Sequence, residues 1–94
     1  MREYELIFIV HPEWDEKAFE EIIEKANSWI TDSGGEVLNT DIWGTRKLAY
    51  PIRKLEEGQY VFMLIKTEPA FVSELERNLR LQEPIMRFSI ISKE

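Results

Sequence analysis

Ninety-four residues, with 12 Lys and Arg against 18 Asp and Glu, one His and no Cys, are read as a single domain, 1–94, of net charge −6. A chain of this size buries about 60–65% of its unfolded surface, enough for one two-layer core and no second lobe. Without cysteine it has no disulfide framework, no thiolate nucleophile and no zinc site of the cysteine type, a usage that fits a reducing cytosol.

Tyr4–Val10 is rich in β-branched and aromatic residues, apolar on both faces, and stops at His11-Pro12, so it reads as a central strand. Its apolar run from Leu6 to Val10 is five residues, far short of the roughly 20 that a membrane span requires. From Asp15 to Ser33 the positions Ala18, Phe19, Ile22, Ile23, Ala26, Trp29 and Ile30 follow three-and-four spacing. Asp15 is the expected N-cap of this helix and Gly34-Gly35 its end. Glu13, Glu16, Glu20, Glu21 and Glu24 are assigned to its solvent face.

Glu36–Thr45 reads as a second strand, broken near Tyr50-Pro51, and Glu56-Glu57-Gly58 as the turn that precedes a third strand, Gln59–Lys66. Thr67-Glu68-Pro69 starts a second, shorter helix whose buried stripe is Val72, Leu75 and Leu79, and Glu83-Pro84 stops it. Ile85–Ser92 is the last strand, with Ile85, Arg87, Ser89 and Ile91 alternating against Met86, Phe88 and Ile90.

The order βαββαβ predicts the ferredoxin-like α+β architecture, a four-stranded antiparallel sheet with two helices on one face. Period-two alternation then turns Leu6, Phe8, Val10, Val61, Met63, Ile65, Phe88 and Ile90 toward the helices. Ile7, Ile9, Tyr60, Phe62, Leu64 and Ile91 are left on the open face. A contiguous apolar patch there is expected to be covered by a partner.

Charge is uneven along the chain, with residues 1–41 at −8 (three basic, eleven acidic) and residues 42–94 at +2 (nine basic, seven acidic). A net negative chain is a poor general binder of phosphates, so any polyanion contact must be local. The densest bases are Arg46-Lys47 and Arg53-Lys54, with Arg2, Arg77, Arg80 and Arg87 elsewhere.

The residues offer no route to catalysis. His11 stands alone beside Pro12, no phosphate-cradling glycine motif exists, and the paired carboxylates of the first helix face solvent, where nothing splits their proton affinities. No enzyme activity, catalytic residue, metal, cofactor or small-molecule substrate is expected. The third strand, Glu57-Gly58-Gln59-Tyr60-Val61-Phe62-Met63-Leu64, also departs from the base-stacking motif of RNA-recognition domains.

Met1-Arg2-x-Tyr4-Glu5, Trp43-Gly44-x-Arg46-Lys47-Leu48-Ala49-Tyr50-Pro51-Ile52-x-Lys54 and Leu75-x-x-x-Leu79-Arg80 together resemble the bacterial small-subunit ribosomal protein six family over nearly the whole chain. The central motif is the specific one. The resemblance implies a non-enzymatic, cytoplasmic ribosomal protein that binds the central domain of small-subunit ribosomal RNA together with a small basic partner, ribosomal protein eighteen, as a heterodimer. It implies RNA-side residues at Arg2, Tyr4, Arg46, Lys47, Lys54 and Arg87, while the open-face residues Ile7, Ile9, Tyr60, Phe62, Leu64 and Ile91 are the expected partner-binding set. The alternative function is a ferredoxin-like module that takes a small molecule or peptide on the same face.

Overall fold

Four strands, β1 (Arg2–Val10), β2 (Glu36–Ile52), β3 (Leu55–Thr67) and β4 (Ile85–Ser92), form one antiparallel sheet in the order β2-β3-β1-β4. Helix α1 (Glu16–Asp32) links β1 to β2, and a 3-10 turn over Pro69–Phe71 leads into α2 (Val72–Arg80) between β3 and β4. This is the ferredoxin-like arrangement. A computed structural model describes the backbone of residues 1–52 and 55–93, and their side chains except at 46–52 and 55–56.

The even-numbered side chains of β1 build the core. Leu6, Phe8 and Val10 are fully buried against Val61, Met63 and Ile65 of β3, under Phe19, Ile22, Ala26 and Ile30 of α1 and Leu75 and Leu79 of α2. β1 lies between β3 and β4, which is why Ile7 and Ile9 at its odd positions are apolar as well: an inner strand offers side-chain surface on both sides of the sheet. The sequence periodicity of both helices matches the faces they bury.

Local signals set the helix ends. The Asp15 side chain accepts a hydrogen bond from the Ala18 N–H at 2.8 Å and so satisfies one of the free donors of the first turn of α1. Beyond its last turn, Gly34 adopts φ +91°, and the Gly35 N–H donates to the Ile30 carbonyl at 3.0 Å. Gly35 marks a close approach of this loop to the end of β3. A Cβ there would stand 2.7 Å from the Lys66 carbonyl oxygen, 3.0 Å from that of Ile30 and 3.1 Å from the Thr67 hydroxyl. Two of those neighbours are backbone and cannot swing away. Gly35→Ala is therefore expected to destabilise the domain by ~1–3 kcal/mol, read as a lower urea midpoint at unchanged slope.

Three details differ from the expectations drawn from sequence. Glu56-Glu57-Gly58 is not a turn: the hairpin ladder runs on through Arg46↔Gly58 and Lys47↔Glu57 to Ile52↔Leu55. Composition pointed to a turn because acidic residues followed by Gly usually mark one, but β2 shifts register against β3 at Val37/Asn39, Ile42/Gly44 and Lys47/Ile52 and keeps pairing past each irregularity. Ile85 does not join Arg87 on the outer face. The β1–β4 register shifts between Ile9 and Val10, so Ile85 lies opposite Val10 and is buried in the core. Glu13 precedes α1, in a turn where its N–H donates to His11 Nδ1 at 3.1 Å.

Candidate functional site

Strand register turns the face away from the helices into rows of side chains. One row reads Gly44, Tyr60, Ile9, Arg87 from β2 to β4; the next reads Asp41, Phe62, Ile7, Ser89; a third reads Asn39, Leu64, Glu5, Ile91. Ile7, Ile9, Tyr60, Phe62, Leu64 and Ile91 therefore share one surface, in the register expected. Ile9 is nearly covered by its neighbours, whereas Ile91 on the edge strand is 50% exposed.

Trp43 belongs to this surface and was assigned no role from the sequence. It falls where β2 shifts register between Ile42 and Gly44, so simple alternation gives it no face. Gly44 adopts φ +79° beside it, a conformation that costs a residue with a Cβ about 1–2 kcal/mol. The indole lies parallel to Phe62 (4° between planes, centroids 5.8 Å apart) and to Tyr60 (18°, 6.3 Å). Its Nε1–H donates to Asp41 Oδ2 at 3.0 Å, which fixes the ring orientation. The only signal in the sequence was Trp next to Gly inside a strand, the pattern of a bulge.

The cations do not form a single patch. Arg87 sits opposite Ile9, at the end of the sheet from which the β2–β3 hairpin extends, and the backbone of Arg46 and Lys47 lies in that extension, opposite Gly58 and Glu57. Three strand spacings, ~14 Å, separate the β2 and β4 edges. Arg2 pairs with Thr67 at the far end of β1, seven residues from Ile9 and thus about 23 Å away along the strand. Arg2 therefore lies apart from Arg87 and the hairpin, because an antiparallel inner strand carries its start and its end to opposite ends of the sheet. Lys54 lies outside the described residues.

Tyr4, the other residue at the start of β1 that the resemblance implies on the RNA side, is placed differently from Arg2. Its even position turns it to the helix side with Leu6 and Phe8, where it is 8% exposed and part of the core. Arg80, which the sequence left unassigned, lies with its guanidinium carbon 5.9 Å from the Phe88 ring centroid, so part of its role is packing on β4.

His11 closes the loop after β1. Its N–H donates to the Pro84 carbonyl at 2.8 Å, its carbonyl accepts from the Trp14 N–H at 3.2 Å, and its ring accepts from Glu13. Among the described residues no group of three or more His, Cys, Asp or Glu could hold a metal ion. No described helix is long and apolar enough to cross a membrane.

Sheet order and helix placement define the class: an α+β domain of ferredoxin-like topology with an apolar sheet face turned outward. A family model described as Ribosomal protein S6 matches residues 3–92. The small ribosomal subunit protein bS6 of Clostridium novyi (strain NT) is 46% identical over 94 residues, spanning 100% of this chain and 99% of that protein. Its counterpart of the same name in Clostridium acetobutylicum is 45% identical over the same shares. The crystal structure of 30S ribosomal protein S6 from Thermotoga maritima superposes with a TM-score of 0.93 at 29% identity, covering 98% of this chain and 87% of that one. The chain belongs to the ribosomal protein S6 family, and with it to the small subunit of the bacterial cytoplasmic ribosome.

Proposed function

We propose that this chain is a structural, non-enzymatic component of the small subunit that binds the central domain of its ribosomal RNA in a heterodimer with a small basic protein, ribosomal protein eighteen. The observation that carries the reading is the apolar sheet face of Ile7, Ile9, Tyr60, Phe62 and Leu64, turned away from both helices, with Arg87 and the hairpin that bears Arg46 and Lys47 at one end. The basic partner covers the apolar rows, with Ile91 at the rim. Arg46, Lys47, Lys54 and Arg87 are the residues we assign to the RNA contact, and Arg2 makes a separate contact at the other end of the sheet.

A net charge of −6 explains why two proteins are needed. A basic neighbour neutralises phosphates that this chain alone would repel, so RNA affinity rises cooperatively when the partner is added. Tight binding of RNA by this chain without the partner counts against the reading.

Salt dependence tests the residue assignment. Each Lys or Arg that neutralises a phosphate releases counterions, so in the two-protein complex Arg46→Gln or Arg87→Gln is expected to weaken RNA binding and flatten the log–log salt slope by about 0.7–0.9. Lys25→Gln on α1 is the control, since its Nζ lies 3.5 Å from Gln82 Oε1 on the helix side of the molecule. RNA affinity measured at several salt concentrations decides the matter: equal slopes for all three variants leave the basic end as ordinary solvated surface.

A further inference from the structure

The apolar face contains one residue that does not suit it. Glu5 lies on the inner strand β1, in register with Leu64 on β3 and Ile91 on β4, and is half-buried among them. Among the described residues its carboxylate makes no hydrogen bond and no ion pair. The nearest cations by register are Lys66 on β3 and Lys93 just past β4, which flank Glu3 and so stand diagonal to Glu5 on either side; both are exposed and neither pairs with it. Asp41, the other carboxylate among these rows, already accepts from the Trp43 indole.

A carboxylate in this position is tolerated while water still reaches it. When a partner covers the face, that water is lost, and an unmatched charge becomes expensive to bury. The requirement runs in one direction, because the covering surface must bring a cation to that place or bind poorly. A nucleic-acid strand brings the wrong charge.

We propose that Glu5 is a specificity-determining residue of the partner interface, its carboxylate pairing with a lysine or arginine of the basic partner once the open face is covered. The inference rests on the reading that the partner occupies this face, and it adds which side chain selects that partner. Apolar contact with Phe62, Ile7 and Leu64 is available to any protein with a greasy surface, whereas Glu5 rejects surfaces that place nothing, or an acid, opposite it.

The test is titration of ribosomal protein eighteen against the wild-type chain and the Glu5→Gln, Glu5→Leu and Phe62→Asp variants, with urea unfolding of each free chain. The Glu5 variants are expected to keep or raise the wild-type midpoint, since the carboxylate has no partner to lose, yet to bind ribosomal protein eighteen about 30-fold or more weakly. Changing the partner's lysines and arginines to Met one at a time then identifies one whose loss adds nothing to Glu5→Gln. Partner binding that survives in both Glu5 variants but fails in Phe62→Asp overturns the pairing and leaves the face reading intact. Normal binding by all three variants overturns the face reading itself. Stronger binding of RNA alone by Glu5→Gln, with partner affinity unchanged, assigns the face to RNA and also overturns the proposal.

Discussion

Replacing Phe8 with Ala is expected to remove ~3–5 kcal/mol of folding stability, the range for deleting a large aromatic side chain from a closed core. Phe8 is fully buried, lies between Val61 and Phe88 in the sheet, and faces both helices through the common core. Nothing can collapse into the gap easily, because the flanking strands hold their own hydrogen-bonded register. For a domain of this length the whole stability is on the order of 5–14 kcal/mol, so the variant retains a fraction of it or unfolds. Urea unfolding checks the result as a midpoint lowered by roughly 1–3 M at a similar slope. A loss below about 1 kcal/mol, outside that range, would mean that the core repacks around the missing ring.

Phe62→Asp acts on the other side of the same sheet and is expected to separate binding from folding. Phe62 stacks under Trp43 and stands between Ile7 and Asp41 in register. The free chain loses one aromatic pair, ~0.5–1.5 kcal/mol, and gains like charges on adjacent strands, a further few tenths to 1 kcal/mol. It stays folded. Affinity for ribosomal protein eighteen falls at least about 30-fold, as for truncation of a central interface residue. Isothermal titration of the folded variant is the measurement, and unchanged affinity removes Phe62 from the interface. The stability cost is larger than the sequence alone suggested, since alternation gave no sign that Trp43 would lie on this ring.

Periodicity and end signals in the sequence determined most of the architecture. The three-and-four spacing of Phe19, Ile22, Ala26 and Ile30, the Asp15 cap, and a β1 apolar on both faces are consequences of local geometry, and local geometry is written in nearby residues. The central Gly44-to-Pro51 motif carried the family resemblance in the same direct way, because it is a statement about residue order alone.

Tertiary structure decided what alternation could not carry past an irregularity. At Ile42/Gly44 and at Ile9/Val10 the ladders shift register, and simple alternation does not carry across either shift; this brought Trp43 over Tyr60 and Phe62 and turned Ile85 into the core. The same limit applies to charge. Sequence separation says how many bases a segment holds, but whether Arg2 and Arg87 share a surface depends on which strands are inner and which way they run. With β1 antiparallel to both neighbours, the two arginines fall at opposite ends of the sheet. Glu5 likewise reads in the sequence as an ordinary strand carboxylate, and only the pairing of β1 with β3 and β4 sets it between Leu64 and Ile91, where desolvation gives its charge a consequence.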